Sequence, residues 1–187
     1  MSLRVVRGWR DTAANDRGAS VAFGAFDGVH LGHQQVIAAA ADAARRLGAP
    51  LGVVSFDPHP GRWFRPQTPP FLLSTPRQTE TGLERLGVEI LYYLRFDDAL
   101  AGMSAEAFAR EVLVAGWGVR HVAIGFDFLF GKGREADAAA LRRLGAELGF
   151  GVTVVERIDD AGGEKLSSTA VRQAVAAGDM ARAQAIL

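Results

Sequence analysis

Residues 23–33 read Phe-Gly-Ala-Phe-Asp-Gly-Val-His-Leu-Gly-His, and the rest of the chain is organised around this stretch. It follows the apolar run 20–23, which predicts a strand, and precedes the apolar-periodic segment 36–47, which predicts a helix. A junction of this kind presents free backbone N–H groups and the positive end of a helix dipole at one point, where an anion binds. The stretch therefore predicts an anion site, with the imidazoles of His30 and His33 as donors that can be charged near neutral pH.

This loop is not one of the two widespread phosphate-loop signatures. It contains neither G-x-G-x-x-G nor G-x-x-x-x-G-K-[ST]. A glycine-rich turn with two incidental histidines is the alternative interpretation. The string G-x-F-D-x-x-H-x-G-H is far more restrictive than glycine spacing alone, so we interpret it as a phosphate-binding loop.

Composition limits the classes of protein to which the chain can belong. Its 187 residues, 49% hydrophobic and 22% charged, are typical of one soluble globular domain with a substantial core. Because 21 basic residues balance 21 acidic ones, there is no electrostatic case for nucleic acid or a membrane surface as the main partner. The absence of cysteine excludes a disulfide framework and thiolate chemistry and fits a reducing compartment, so we expect a cytoplasmic location.

Helix and strand patterns alternate along the chain, which predicts an α/β fold with a parallel sheet. We expect strands at about 20–23, 51–56, 88–94, 119–124 and 152–155. We expect helices at about 36–47, 76–86, 104–115, 135–148, 168–177 and 180–187. The second helix starts from a capping box at Thr75. The proline-rich segment 61–73 is interpreted as irregular, either a binding loop or a cover for the core.

Three further strings combine residue types that suit a nucleotide or an aromatic ligand. Residues 56–60 read Phe-Asp-Pro-His-Pro, and residues 125–131 read Gly-Phe-Asp-Phe-Leu-Phe-Gly. The phenylalanines are either a strand end packed into the core or a wall around a flat ligand. Residues 167–172 read Ser-Ser-Thr-Ala-Val-Arg. They are either a plain helix cap with a surface arginine or a phosphate site. In the second case the phosphate would be bound by the hydroxyls, by free backbone N–H groups at the helix start and by the two-pronged guanidinium of the arginine.

In this order, the four strings resemble the adenylyltransferase module of the bacterial bifunctional riboflavin kinase/FAD synthetase, one of the nucleotidyltransferases with an H-x-G-H signature. The resemblance covers nearly the whole chain, about residues 21–187. The first and last strings indicate the superfamily, and the middle two point to its flavin branch. The resemblance implies a Rossmann-like parallel sheet with helices on both faces and a single adenylyltransferase domain over residues 1–187. It also implies ATP and FMN as substrates, Mg²⁺ as the metal, and FAD and pyrophosphate as products.

The resemblance also assigns roles to individual residues. It implies catalytic roles in holding phosphates for His30, His33, Ser168, Thr169 and Arg172, the last contacting pyrophosphate. It implies nucleotide contacts for Phe23, Gly24, Ala25, Phe26, Asp27, Gly32 and Ser167. It implies flavin contacts for Pro58, Pro60, Phe64, Phe108, Asp127 and Phe130. His59 is the candidate metal ligand.

Several alternatives stay open at this point. Asp27 either supports its loop or contacts the adenosine end, and Asp127 either accepts from the flavin or orders a water of the metal. A zinc site built from His30, His33 and His59 is disfavoured, because no cysteine or H-E-x-x-H spacing supports it. The remaining histidine, His121, is expected to be a satisfied core or edge residue on a strand.

The sequence departs from the family pattern at three positions. Ala25 stands where the family usually has asparagine, and the family often has arginine where Leu129 stands and glycine where Ala136 stands. The family's riboflavin kinase module would continue beyond Leu187, so we expect either a fragment cut at a domain boundary or a natural single-module form.

Two other functions remain: an adenylyl- or cytidylyltransferase for a pantetheine or polyol phosphate, and a non-catalytic module that binds nucleotide or flavin.

Overall fold

A six-stranded, fully parallel sheet forms the centre of the computed structural model, which describes residues 2–64, 67, 72–159 and 162–187. The strand order is β1-β4-β3-β2-β5-β6. The strands are β1 Arg4–Arg7, β2 Ser20–Phe23, β3 Leu51–Phe56, β4 Ile90–Leu94, β5 His121–Gly125 and β6 Gly151–Val155. Because β3 lies on one side of β2 and β5 on the other, the order reverses between β2 and β5. In open α/β sheets, ligands bind at such a reversal, beyond the carboxyl ends of the strands.

The helices cover both faces of the sheet, which confirms the predicted fold class. They are α1 Leu31–Leu47, α2 Pro60–Phe64, α3 Pro76–Arg85, α4 Asp98–Ala101, α5 Ala105–Ala107 with its π-helical continuation Phe108–Gly116, α6 Ala138–Leu148, α7 Ser168–Ala176 and α8 Met180–Ile186. The capping box at Thr75 is confirmed, since its hydroxyl accepts from the backbone N–H of Gln78 while the Gln78 side chain accepts from the Thr75 N–H. Among the described residues, every helix falls short of the length and apolarity needed to cross a membrane.

Two hydrophobic cores lie on opposite faces of the sheet, and a third cluster stands apart. Successive residues of β2 alternate between the two cores: Val21 faces the π-helical segment and α6, and Ala22 faces α1 and α3. The third cluster joins α7 to α8 through Leu166, Ala170, Val171, Ala174, Ala183 and Ile186. The last two helices thus bury their apolar sides mainly against each other rather than in either sheet core.

The structure differs from the sequence prediction in several elements, among them the unpredicted short helix α4 and the start of α6 at Ala138 rather than near 135. The edge strand β1 was not predicted, because its residues are mostly exposed and lack an apolar pattern. Helix α1 begins at Leu31 rather than near 36, since the apolar period starts only at its first buried residue, Val36. The segment 61–73 is not wholly irregular: its first residues are helical in α2, whereas residues 65–66 and 68–71 lie outside the described part of the chain.

Candidate active site

A cavity of about 570 Å³ opens at the carboxyl edge of the sheet. Its lining includes the last residues of four strands: Phe23 of β2, Phe56 of β3, Gly125 of β5 and Val155 of β6. The volume lies within the roughly 300–1,000 Å³ that is usual for small-molecule sites. The position is the one that the reversal in strand order predicts.

The H-x-G-H loop runs along one wall of this cavity. Phe26 and Val29 have positive φ angles, 51° and 43°. Positive φ is uncommon for residues other than glycine and least common for a β-branched residue such as valine. Such backbone strain persists where the surrounding structure fixes it, and it concentrates at ligand sites. The bends bring the His30 and His33 rings together, with centroids 3.6 Å apart, and Phe26 packs 5.0 Å from His33.

His30 serves as the N-cap of α1. Its Nδ1 accepts a hydrogen bond from the backbone N–H of His33 at 3.3 Å. Because Nδ1 must carry a lone pair to accept, the neutral ring carries its proton on Nε2. Nε2 is therefore the donor that His30 can offer to a ligand in the cavity, which this residue lines.

Both imidazoles are neutral in the free protein. Burial, reinforced by the charge of Lys165, lowers the pKa of His30 from 6.5 to about 4. Burial also lowers the pKa of His33 well below its usual value, and the neighbouring His30 and His59 lower it further. The free protein therefore disfavours the charged form that the sequence allowed for these side chains near neutral pH. An anion bound nearby would raise both pKa values.

Asp27 supports the loop through its carboxylate. Its side chain is only 4% exposed. One carboxylate oxygen accepts from the backbone N–H groups of Leu73 at 2.9 Å and Ser74 at 3.1 Å. The other oxygen forms an ion pair with Arg172. Asp27 is not among the described residues that line the cavity.

The start of α7 forms another part of the cavity wall. Ser167, Ser168 and Thr169 all line the cavity. The Ser167 hydroxyl caps the helix by accepting from the N–H of Ala170 at 3.2 Å, and Ser168 Oγ donates to the carbonyl oxygen of Asp27 at 2.9 Å. Arg172 pairs with Asp27 and is not among the described lining residues. The two strings at opposite ends of the sequence thus share one cavity.

Aromatic side chains form the apolar part of the cavity. The ring of Phe23 stacks on Phe108 with centroids 5.6 Å apart, and Phe128 stacks on Phe130 at 5.6 Å. Of the residues expected to contact flavin, Pro60, Phe64, Phe108, Asp127 and Phe130 line the cavity, whereas Pro58 is not among its described lining. Sequence reasoning missed Phe56 and Phe96, which also line it. Phe56 opens the string at residues 56–60, and the only signal for Phe96 was its position just beyond the end of β4.

A salt bridge crosses between two loops at the cavity. Lys165 pairs with Asp127, and its ammonium lies 4.8 Å from the centroid of the Phe126 ring. In the free protein Asp127 is thus held by a cation of the chain itself. Lys165 also lines the cavity and was not among the predicted site residues. The sequence carried one hint, because it is one of only two lysines in the chain.

The three departures from the family pattern lie in different surroundings. Ala25 lines the cavity, and its carbonyl oxygen accepts from Ser55 Oγ at 2.9 Å. Leu129 also lines it and is 43% exposed. Ala136 is buried in the core and exchanges backbone hydrogen bonds with Phe130. Only the first two are therefore placed to change ligand contacts directly.

The two remaining histidines have protein partners. Nδ1 of His59 accepts from the N–H of Gly61 at 3.0 Å, and burial lowers its pKa. His59 is not among the described residues that line the cavity. No group of three or more His, Asp or Glu side chains within the described ranges is arranged to hold a metal ion. His121 is buried between Ser20 Oγ at 3.3 Å and Thr153 Oγ1 at 2.9 Å, which confirms the expected satisfied strand histidine.

Comparison with known proteins identifies a family model and several relatives. The model described as FAD synthetase matches residues 12–170. The bifunctional riboflavin kinase/FMN adenylyltransferase of Pseudomonas fluorescens is 38% identical over 185 residues, covering 99% of this chain and 59% of the relative. The protein of the same name from Escherichia coli K12 is 34% identical over 186 residues, with the same shares covered. The chain thus spans about three fifths of the length of these curated relatives.

Solved structures share the fold. A crystal structure from Streptococcus pneumoniae, titled as a macrolide-efflux protein, matches with a TM-score of 0.83 and 28% identity, covering 100% of this chain and 60% of the other. A pantoate-β-alanine ligase from Francisella tularensis matches with a TM-score of 0.52 and 14% identity, covering 92% of this chain and 77% of the other. The second likeness shows the fold alone.

Proposed function

The chain belongs to the FAD synthetase family, and from that premise we propose that it transfers the AMP moiety of ATP to FMN, giving FAD and pyrophosphate. The observation that carries the proposal is a single cavity with two kinds of wall. His30, His33 and the Ser167–Thr169 segment offer hydrogen-bond donors to phosphates, and the phenylalanines offer an apolar slot for a flat ring.

The proposed reaction needs no covalent intermediate with the protein. An oxygen of the FMN phosphate attacks the α-phosphorus of ATP in line. The new P–O bond forms as the bond to the oxygen that bridges the α- and β-phosphates breaks, and pyrophosphate leaves with that electron pair. Catalysis of such a transfer consists mostly of positioning and of stabilising charge on the phosphoryl oxygens.

The two imidazoles are proposed to supply that stabilisation as hydrogen-bond donors. Their lowered pKa values mean that they meet the polyphosphate as neutral rings. The negative charge of ATP would then raise both pKa values and favour proton uptake on binding. Donors that are fixed before the ligand arrives need no reorganisation during the reaction. The stacked pair, with its backbone cap, is such a fixed arrangement.

The flavin is proposed to occupy the aromatic side of the cavity. Phe108 and Phe130 are buried there, whereas Phe64 is 58% exposed and packs 5.5 Å from Phe96. A small pantetheine or polyol phosphate would not require an apolar wall of this extent. This wall is why we favour FMN over the acceptors of related nucleotidyltransferases.

Mg²⁺ is proposed as the metal. This ion keeps most of its water and takes its other ligands mainly from substrate phosphates, so one protein ligand is sufficient. His59 is the candidate protein ligand from the sequence, but its imidazole nitrogen is not the oxygen ligand that Mg²⁺ prefers, and it is not among the described residues that line the cavity, so we propose that the substrate phosphates and water hold the ion. When bound, the ion would neutralise charge on the phosphates that leave as pyrophosphate.

Incubation of the purified chain with FMN, ATP and Mg²⁺ tests the proposal, with FAD followed by chromatography and pyrophosphate by a coupled assay. We expect equal amounts of both products. Turnover of ATP with 4′-phosphopantetheine or a polyol phosphate, and none with FMN, would favour the alternative acceptors. Tight binding of FMN or ATP without either product would favour a non-catalytic module.

Two wider proposals concern the protein outside the site. The relatives carry riboflavin kinase in their names, and we propose that a kinase domain lies beyond Leu187 in the intact protein. The mass of the protein isolated from its native source tests this. We also propose a cytoplasmic location, which the absence of cysteine supports.

A further inference from the structure

A tight turn brings a positively charged residue to the aromatic side of the cavity. The turn is closed by Phe130 and Ala136, which exchange two backbone hydrogen bonds of 2.9 and 3.1 Å. Within the turn, Gly131, Gly133 and Arg134 line the cavity. Arg134 was not among the predicted site residues, because a single arginine in a glycine-rich turn forms no pattern in the sequence.

The backbone of this turn is held in place by its neighbours. A Cβ on Gly131 would lie 2.9 Å from the backbone nitrogen of Ala105, so the turn lies directly against the start of α5. The carboxylate of Glu135 accepts from the N–H of the same alanine at 2.9 Å. Arg134 has a φ angle of 61°, which is uncommon for residues other than glycine. Such a conformation persists where the surroundings enforce it, and it concentrates at ligand sites.

The charge of Arg134 is available to a ligand. Among the described residues that line the cavity, the arginine and lysine side chains are those of Arg134 and Lys165. Lys165 is paired with Asp127. Arg134 forms no ion pair within the described part of the chain, either with Asp127 or with Glu156, the other carboxylate of the lining. An anion can therefore bind this guanidinium without first breaking an ion pair.

The surroundings of Arg134 favour the phosphate of the flavin over those of ATP. Phe130, at the start of the turn, stacks on Phe128 with centroids 5.6 Å apart and packs edge-on against Phe108 at 6.2 Å. These rings belong to the proposed flavin slot, whereas the groups proposed to hold ATP come from the H-x-G-H loop and the start of α7. A flavin on these rings carries its phosphate on a flexible ribityl chain. A guanidinium suits that phosphate, because it can donate two parallel hydrogen bonds to the phosphate oxygens.

We propose that the guanidinium of Arg134 binds the phosphate of FMN, so that this residue lets the site distinguish the phosphorylated flavin from riboflavin. The proposal deepens the adenylyltransferase assignment and rests on it for the choice of a flavin as the ligand. The contact holds the phosphate group that supplies the attacking oxygen, and no bond to the protein forms or breaks. A flavin without the phosphate gains nothing from this residue.

The test compares FMN with riboflavin, which differ only by the phosphate. Quenching of flavin fluorescence measures both affinities without ATP, and calorimetry measures the affinity for ATP. We expect Arg134→Gln to weaken FMN binding by about 10- to 100-fold, as for loss of a charge-assisted hydrogen bond. The affinities for riboflavin and for ATP should not change. Arg134→Lys should fall between wild type and Arg134→Gln, because it keeps the charge and loses the paired donors.

Three results of this test would overturn the proposal. Equal losses of affinity for FMN and riboflavin in Arg134→Gln would show that the side chain supports the aromatic slot rather than the phosphate. An unchanged affinity for FMN would show that Arg134 is an ordinary surface residue. A loss confined to ATP would assign the guanidinium to the phosphates of the nucleotide.

Lys132→Gln is the matched control. Lys132 lies in the same turn but is not among the described residues that line the cavity, so this variant removes one positive charge two residues away. It should leave the affinity for FMN unchanged. An equal loss in Lys132→Gln would indicate general electrostatic attraction and would count against the contact. Should Arg134→Gln not fold, Arg134→Gly decides, because glycine adopts a φ of 61° without strain and removes the whole side chain.

The failure of this proposal and the failure of the proposed function are distinguishable. A wild-type chain that binds FMN more tightly than riboflavin but forms no FAD refutes the adenylyl transfer and leaves the affinity comparison valid. An active chain whose Arg134→Gln variant keeps the wild-type affinity for FMN refutes only the contact. In an active chain, the variant should raise KM for FMN and leave KM for ATP unchanged. A wild-type chain that binds neither flavin, with or without an uncleavable ATP analogue, refutes both proposals.

Discussion

A single ring, that of His30, contributes to both folding and the candidate chemistry. Nδ1 caps α1, which leaves Nε2 for a ligand in the cavity. These are separate functions of two nitrogens, so substitutions can remove one and keep the other. Asparagine resembles the capping side of the ring and is itself a favoured N-cap residue.

We predict that His30→Asn keeps the stability of the fold and loses activity. The rate of FAD formation should fall by about 10²–10³-fold, as for loss of one preorganised donor. His30→Ala should lose the same rate and, in addition, about 1 kcal/mol of unfolding free energy, because the cap is gone. Steady-state kinetics and urea unfolding measure the two effects. An Asn variant with the wild-type rate would show that Nε2 does not act on the substrate.

The low pKa of His30 predicts how stability depends on pH. The unfolded chain takes up a proton at this residue near pH 6.5, whereas the folded chain resists uptake until about pH 4. Stability is therefore lost as pH falls through this interval, by up to about 3 kcal/mol from this group. His30→Asn lacks the effect, so wild type should lose more unfolding free energy than the variant between pH 7 and pH 4.5. If wild type and His30→Asn lost the same unfolding free energy between the two pH values, as measured by urea unfolding, the lowered pKa of His30 would be contradicted.

At the scale of elements, the starts of α1 and α7 meet at Gly32. A Cβ on this residue would lie 3.1 Å from the His30 ring and 3.1 Å from the carbonyl oxygen of Leu166, which precedes α7. A Cβ here would force its neighbours to move by a few tenths of an ångström, so glycine suits the close approach of the two helix starts although it is a poor helix former. Gly32 is thus one place where the H-x-G-H loop and the start of α7 come into close contact.

We predict that Gly32→Ala displaces the His30 ring and lowers the rate of FAD formation by about 10- to 100-fold. Gly82→Ala in α3 is the matched control, because its Cβ would meet nothing closer than 3.7 Å. The control should gain up to about 1 kcal/mol of unfolding free energy from helix propensity and keep the wild-type rate. Kinetics and unfolding of both variants provide the measurement. Equal rates in the two variants would show that the contact at Gly32 does not control the position of the His30 ring.

At the scale of the whole molecule, the site joins parts of unequal stability. The histidine loop is anchored between β2 and α1, whose apolar residues belong to the sheet cores. The Ser167–Thr169 wall belongs to the α7–α8 hairpin with its small separate cluster. Local opening is easiest where few apolar contacts are buried, so the hairpin should open before the sheet does.

Hydrogen exchange should reveal this difference. We predict that backbone amides of α7 and α8 exchange faster than those of β2 and β5, and that ATP slows exchange in the hairpin more than in the sheet. Mass spectrometry of peptides from the free and the ATP-bound chain makes the comparison. Equal protection of hairpin and central strands without ATP would contradict the proposed hierarchy.

Much of the fold followed from local patterns. Continuous apolar runs predicted the central strands, and β3 was predicted with its observed limits, because strands buried on both faces leave a strong signal. The caps at Thr75, Ser104 and Ser167 were visible as residue types. The exposed edge strand β1 was missed, since an edge strand with mostly exposed side chains needs no apolar pattern.

The sequence by itself determined the class of the fold, the family resemblance and the two strings proposed to bind phosphate, because these depend on residue types at fixed local spacing. Only the tertiary structure decided that the strings share a cavity, that the imidazoles are neutral in the free protein and that Arg172 is paired with Asp27. Each of these depends on burial and on contacts between residues far apart in the chain. No local pattern encodes how deeply a ring is buried or which charge lies beside it, and those two quantities set its protonation and its partner.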